Sequence, residues 1–153
     1  MKVKDLMITE VKFCTLETNL AVATQLMWEN DCGILPVLDC GRVIGVITDR
    51  DICVALGTRE TPASRIHASS VISPRLFVCS PDDDVRNVLA TMTKERVRRL
   101  PVIDDEGELA GIVSLDDIVV KAEVGGTELS YGDVIGTYKA LCERRIAVRS
   151  AAG

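Results

Sequence analysis

The chain states one pattern twice. Gly45-Val-Ile-Thr48-Asp-Arg-Asp51 and Gly111-Ile-Val-Ser114-Leu-Asp-Asp117 each run from a glycine through two aliphatics to a hydroxyl residue, with an aspartate three positions later. Leu35-Pro36-Val37 precedes the first copy and Leu100-Pro101-Val102 the second, at an offset of 65 residues that becomes 66 after one insertion ahead of the glycine. Upstream the register of 65 aligns Met27 with Met92, Thr15 with Ser80 and Cys14 with Cys79. Such a repeat obliges both halves to adopt the same supersecondary unit. Neither half of a 153-residue chain is large enough to bury a sufficient core alone, so the two must share one.

Hydrophobic spacing fills in the unit. Val85, Val88, Leu89 and Met92 fall at i, i+3, i+4 and i+7, one face of a helix, and Leu20, Ala23 and Met27 mark the equivalent helix, ending near Glu29 and Asn30. Short extended segments are expected before them at 12–15 and 76–80. After each helix come two aliphatic runs, 34–38 and 43–47 in the first copy, split by the turn-rich Asp39-Cys-Gly-Arg42. The second copy turns through Asp104-Asp-Glu-Gly-Glu108, and second helices are expected at 49–56 and 115–123. Each repeat therefore reads β-α-β-β-α. The fold class is α+β, with two small sheets related by a pseudo-twofold axis and a cleft between them.

The expected division is a first repeat over 1–58, a linker and leader over 59–73, a second repeat over 74–124 and a tail over 125–153. Ala68-Ser-Ser-Val-Ile72 aligns with Val3-Lys-Asp-Leu-Met7, giving each repeat a short leader. In the tail beyond Gly125-Gly126, Val134, Tyr138, Leu141 and Cys142 are spaced for one helical face that needs a partner, in the same chain or in a second subunit. The last residues, 149–153, are expected to fray.

Composition excludes several classes. A net charge of −5 provides no field for a polyanion, and 3% aromatic content provides no base-stacking platform, which argues against nucleic acid. No apolar run reaches the roughly 18 residues of a membrane span, and the start Met1-Lys-Val-Lys-Asp5 has no signal-like apolar segment, so a cytoplasmic protein is expected. Its six cysteines include no Cys-x-x-Cys and read as reduced thiols. A redox pairing of Cys142 with Cys14 or another repeat cysteine is the alternative. His67, the single histidine, reads as a surface residue, and no metal site is expected. Lys94, Arg96, Arg98 and Arg99 cluster before the second Leu-Pro-Val, either as a solvated helix end or as a site for one small phosphate.

The repeated hydroxyl and aspartate admit two readings. Ser/Thr-x-x-Asp between strand and helix is a capping box, with Thr48 or Ser114 as cap and Asp51 or Asp117 one turn inside. It also suits a nucleotide: the helix start attracts phosphate, and an ionised aspartate accepts hydrogen bonds from a ribose diol. On that second reading the glycine and the small Val46 and Ile112 would let a flat purine lie against the sheet. Arg50 could reach phosphate oxygens where its counterpart Asp116 cannot, so the two half-sites should differ. No Gly-x-x-x-x-Gly-Lys loop, no His-Glu-x-x-His and no histidine base beside a nucleophile is present, so catalysis is not expected.

Over about residues 3–123 these repeats resemble a tandem CBS-domain protein, or Bateman module, of the stand-alone type. The resemblance implies a regulatory module, often a homodimer, that binds AMP, ADP, ATP or S-adenosylmethionine in its clefts, requires no cofactor, and signals to an unidentified protein partner. By the family's motif, Asp51 and Asp117 would hold ribose, and Thr48 and Ser114 would contact ribose or phosphate. Cys14, Thr15 and Ile34 would line one base pocket, with Cys79, Ser80 and Arg99 lining the other. The alternatives left open are a dimeric scaffold with empty clefts and a cysteine-based stress-responsive protein.

Overall fold

The computed structural model describes residues 1–73, 75–124 and 129–143; the Gly125-Gly126 junction and residues 149–153 lie outside the described residues. Strand β1 (Cys14–Thr15) and helix α1 (Leu20–Glu29) lead into the hairpin of β2 (Ile34–Asp39) and β3 (Arg42–Thr48), followed by α2 (Asp49–Thr58). The second copy runs α3 (Val85–Glu95), β4 (Arg99–Ile103), β5 (Leu109–Ser114) and α4 (Leu115–Lys121). A last helix, α5, spans Tyr131–Cys142. The expected β-α-β-β-α unit is thus present twice, with one reduction: the opening strand of the second copy is a single parallel bridge, Cys79 to Val102. In the first copy β1 pairs parallel with β2 through Cys14 with Val37 and Thr15 with Leu38.

Turn chemistry sets the hairpins. Asp39 pairs with Arg42 across Cys40 and Gly41, both at positive φ (48° and 81°), the two-residue turn that matches strand twist. In the second copy the inserted residue is taken up by a longer turn, with Gly107 at φ 84° and the Asp104 carboxylate accepting the N–H of Glu106 and Glu108. The tips meet in a bridge between Arg42 and Glu108. These two residues are equivalent in the repeat register, so the pseudo-twofold axis passes between them.

The leaders exchange. The first leader does not pack on the first repeat: Val3 N–H donates to the Asp83 carbonyl (3.0 Å), Lys4 N–H to the Pro81 carbonyl (2.9 Å), and Ile8 and Ile112 trade two backbone hydrogen bonds of 2.9 Å. Reciprocally, Ala68 N–H donates to Thr18 (2.8 Å), Ser69 to Leu16 (3.1 Å), and Ser73 to Val46 (3.2 Å). Accordingly Val3 and Leu6 belong to the second core, with Leu89, Met92, Leu100 and Ile118. Ile66 and Ala68 belong to the first, with Leu20, Met27, Leu35 and Ile47. The stretch expected as a linker therefore carries core residues of the first repeat.

The exchange explains the motif glycines. A Cβ on Gly111 would lie 2.7 Å from the Ile8 carbonyl oxygen, and one on Gly45 would lie 2.5 Å from Ile72 Cγ1. The space left by each missing side chain is filled by the other repeat's leader. It is not free for a purine, which corrects the expectation that glycine admits a base there.

Helix α5 packs in the same chain, against α3 and α4. Its inward face is Val134, Thr137 and Leu141, with Thr93 Oγ1 donating to Thr137 Oγ1 at 3.1 Å. Tyr138 and Cys142, expected on that face, are exposed. The seat favours the small Thr137, which hydrogen-bonds across the contact, and turns the tyrosine outward beneath Arg98, 5.9 Å from the ring centre.

Candidate functional site

Thr48 and Ser114 are N-caps at the ends of β3 and β5, and each forms a complete capping box. Asp51 Oδ2 accepts the Thr48 N–H (2.8 Å) and hydroxyl (2.7 Å), and Thr48 Oγ1 accepts the Asp51 N–H (3.2 Å). Asp117 Oδ2 accepts the Ser114 N–H (2.9 Å) and hydroxyl in the same way. The capping reading is therefore met in full. A third box, Ser130 with Asp133, starts α5 with the same bonds. Since α5 lies outside the repeat, this geometry by itself serves helix initiation and does not select a ligand. It nevertheless uses only Oδ2 of Asp51 and Asp117; among the described residues, neither Oδ1 makes a hydrogen bond.

The surroundings separate the boxes. Ser114 and Asp117 border a cavity of about 260 Å³ between the repeats. Its apolar walls include Ile8 from the exchanged leader, Ile34 from β2 and Ile112 from β5, and Lys12 and Arg99 bring positive charge against the carboxylates of Glu10, Asp31 and Asp116. Arg99 Nη2 lies 3.4 Å from Asp116 Oδ2, an exposed pair. The cavity is slightly below the roughly 300–1,000 Å³ of small-molecule pockets, which suits a nucleoside better than a dinucleotide. Asp51 and Arg50 border a different, more open groove of about 340 Å³ with Arg59 and Ile72, and Arg59 is spent on Ser70, donating to its hydroxyl and carbonyl at 2.9 Å each. The half-sites differ, and by more than Arg50 against Asp116: Ile112 and Ile34 border the second cavity, whereas Val46 and Thr48 border neither.

Of the remaining sequence-derived residues, Cys14 and Cys79 border neither the cavity nor the groove. They are buried in the two cores, where burial pushes their thiols up to about 11 and about 12. A thiol so disfavoured as thiolate is a poor redox partner for Cys142. All six cysteines are free. Thr15 and Ser80 sit at equivalent turns, where their N–H groups donate to Thr18 Oγ1 (3.0 Å) and Asp83 Oδ2 (2.8 Å). The basic cluster disperses: Lys94 pairs with Glu95, Arg96 donates to the Leu141 and Glu143 carbonyls at the end of α5, Arg98 covers Tyr138, and only Arg99 borders the cavity. No single phosphate site is built from all four.

Sequence reasoning missed Ile8, Lys12, Asn30 and Cys32 at the cavity. The repeated leader was the available signal for Ile8, once its exchange is known. His67 is exposed, with Nδ1 2.9 Å from the Glu17 carbonyl. Among the described residues no group of three or more His, Cys, Asp or Glu is placed to hold a metal, and no helix is long and apolar enough to cross a membrane.

Comparison with known proteins agrees with this architecture. The sequence model of the CBS domain matches residues 3–58 and again 68–123. CBS domain-containing protein YhcV of Bacillus subtilis is 32% identical over 118 residues, which span 77% of this chain and 83% of that relative. The conserved CBS domain protein TA0289 of Thermoplasma acidophilum superposes with a TM-score of 0.74 at 25% identity, covering 91% of this chain and 76% of that one. The CBS domain pair of protein MJ0100, solved with 5′-methylthioadenosine and S-adenosyl-L-methionine, superposes with a TM-score of 0.71 at 24% identity, covering 78% and 94%.

Proposed function

The chain belongs to the CBS-domain family as a tandem pair, and from that premise we propose that it is a regulatory module binding an adenosine-containing ligand in the Ser114–Asp117 cavity and passing the bound state to a partner. The observation that carries this reading is the cavity itself, with Asp117 Oδ1 uncommitted beside three isoleucines. A purine would lie between Ile8, Ile34 and Ile112, the ribose diol would donate to Asp117, and Arg99 and Lys12 would meet a phosphate or carboxylate. The ligand bound by the MJ0100 pair is of this chemical class. A nucleotide there would touch the leader, the first repeat and the second at once. It would shift their relative arrangement only through unequal affinity for two arrangements. The regulatory role, AMP, ADP or ATP as alternatives to S-adenosylmethionine, and cytoplasmic location all belong to this proposal.

A second reading, an empty-cleft scaffold, is favoured by the third capping box, which serves helix initiation alone. Asp117→Asn separates the two. Asparagine retains an oxygen for the Ser114 cap and loses the charged acceptor, so stability should hold while affinity falls. Losing charge-assisted bonds of roughly 1.5–3 kcal/mol corresponds to about ten- to a hundredfold in Kd. The test is a thermal-shift titration with adenosine nucleotides and S-adenosylmethionine. A shift in Tm that grows with ligand and is lost in the variant supports the sensor; no shift with any of them supports the scaffold.

A further inference from the structure

The Ser114–Asp117 cavity is acidic. Four carboxylates line it, those of Glu10, Asp31, Asp116 and Asp117, against two cations, Lys12 and Arg99. Asp117 is the ribose acceptor of the reading above, and Arg99 Nη2 already lies 3.4 Å from Asp116 Oδ2. Glu10 and Asp31 against Lys12 are what remains to meet the rest of a ligand. The volume of about 260 Å³ sets a limit of size as well: it holds a nucleoside and leaves a longer chain among the carboxylates at the rim.

This polarity is particular to the second half-site. In the repeat register Glu10, Asp31 and Asp116 correspond to Arg75, Arg96 and Arg50, so the sign of the charge is reversed at all three positions. Asp31 and Arg96 share a left-handed backbone, at φ 48° and 59°, and Asp116 and Arg50 are each the second residue of their helix. One repeat accepts arginine where the other carries a carboxylate, so the local fold does not require the acids. In the first half-site the cations do not converge: Arg75 pairs with Glu95 at 2.8 Å, Arg96 donates to the end of α5, and Arg50 borders the open groove.

We infer that the cavity selects adenosine ligands by charge, taking an uncharged nucleoside or a 5′-sulfonium adenosyl cation and rejecting nucleoside phosphates, with Glu10, Asp31 and Asp116 setting the specificity. The inference rests on the proposed binding of an adenosine-containing ligand in this cavity. A 5′-phosphate carries roughly two negative charges at neutral pH. It would meet an excess of carboxylates, and the guanidinium of Arg99 is held by Asp116. Like charges brought together at a recognition site discriminate against that ligand. A sulfonium bearing an amino-acid tail instead offers cations to the acids and a carboxylate to Lys12. Glu10, Asp31 and Asp116 are exposed, so the discrimination weakens as salt screens it.

The experiment is isothermal titration calorimetry of the full chain, at low and high salt, with adenosine, AMP, ATP, S-adenosylmethionine and S-adenosylhomocysteine. The last two share a skeleton and differ by the sulfonium methyl and its charge. Adenosine should bind about tenfold or more tighter than AMP, with ATP weaker still and S-adenosylmethionine tighter than S-adenosylhomocysteine, and every gap should narrow at high salt. The double variant Asp31→Arg, Asp116→Arg copies the first repeat. It should bind AMP about tenfold or more tighter than the parent chain while its affinity for adenosine stays within about threefold, which also reports that it folds. Asp31→Asn with Asp116→Asn, which removes charge without adding any, should move AMP the same way by a smaller factor. AMP or ATP binding as tightly as adenosine to the parent chain overturns the charge selection and leaves the adenosine-binding reading standing. Variants that bind adenosine and gain nothing toward AMP overturn the assignment to these residues. No binding of any of these compounds to the parent chain overturns both.

Discussion

Replacing Gly111 by alanine tests the leader exchange at its tightest point. The added Cβ would stand 2.7 Å from the Ile8 carbonyl oxygen, against an ordinary contact of 3.4 Å or more. The obstacle is backbone, held by two 2.9 Å hydrogen bonds between Ile8 and Ile112, so it cannot rotate away. Weakening those bonds costs ~1 kcal/mol each. Forcing a methyl into packed structure costs a further ~1–3 kcal/mol. The reduced freedom of the unfolded chain returns ~0.4–1 kcal/mol, leaving a net loss of ~3 kcal/mol. At Gly45 the methyl instead meets the half-buried Ile72 side chain, with the Ser73 carbonyl at 3.3 Å. A side chain can change rotamer, and the expected loss is ~1 kcal/mol. For a chain of this size the two variants should melt ~9 °C and ~3 °C lower in calorimetry or circular dichroism. Ile72→Ala should relieve Gly45→Ala in a double-mutant cycle, while Met7→Ala should not relieve Gly111→Ala. Equal losses, or a larger one at Gly45, would refute the assignment of these glycines to the exchanged leaders.

Four further outcomes follow from the packing and the titrating groups. Native alkylation at pH 8 should label the exposed Cys40, Cys53 and Cys142 well before Cys14 and Cys79, read by peptide mass spectrometry; equal rates would contradict the burial of the latter pair. Those two thiols ionise at about 11 and about 12 when folded, against 9.0 when free, so their contribution is intact below pH 9 and is lost as pH rises through the folded values, which equilibrium unfolding in alkaline buffers should show. The Ser130 N–H and hydroxyl hold Asp133 below its ordinary 3.8, so the charged cap stabilises α5 above that pH and fails as pH falls through the lowered value, and Asp133→Asn should flatten this acid limb. Leu35→Ala and Leu100→Ala, at equivalent and almost fully buried positions, should each cost ~2–5 kcal/mol in urea unfolding.

What could be read from the sequence is what repeats or recurs at short range. The helix faces of α1 and α3, the hairpins, the caps at Thr48 and Ser114 and the pairing of two like units follow from periodicity and turn chemistry, which act within a few residues. The leader was visible as a repeated segment, but its place was not. In a pseudo-symmetric pair, a leader packed on its own repeat and one packed on the other present the same local pattern, and only the closed structure selects between them. That selection decided which residues border the cavity: Ile8 reaches Ile112 because the leader crosses over, and Cys14 and Cys79 are drawn into the cores. It also decided the tail. A helix with apolar side chains on more than one side carries no record of which side faces inward, and the seat on α3 and α4 chose Val134, Thr137 and Leu141. The basic residues around the start of β4 form a cluster only along the chain: Arg98, in the bend before the strand, lies over Tyr138 of α5, while Arg99, the first strand residue, borders the cavity. Local pattern determined the elements, and long-range packing alone determined which of their faces are left to bind.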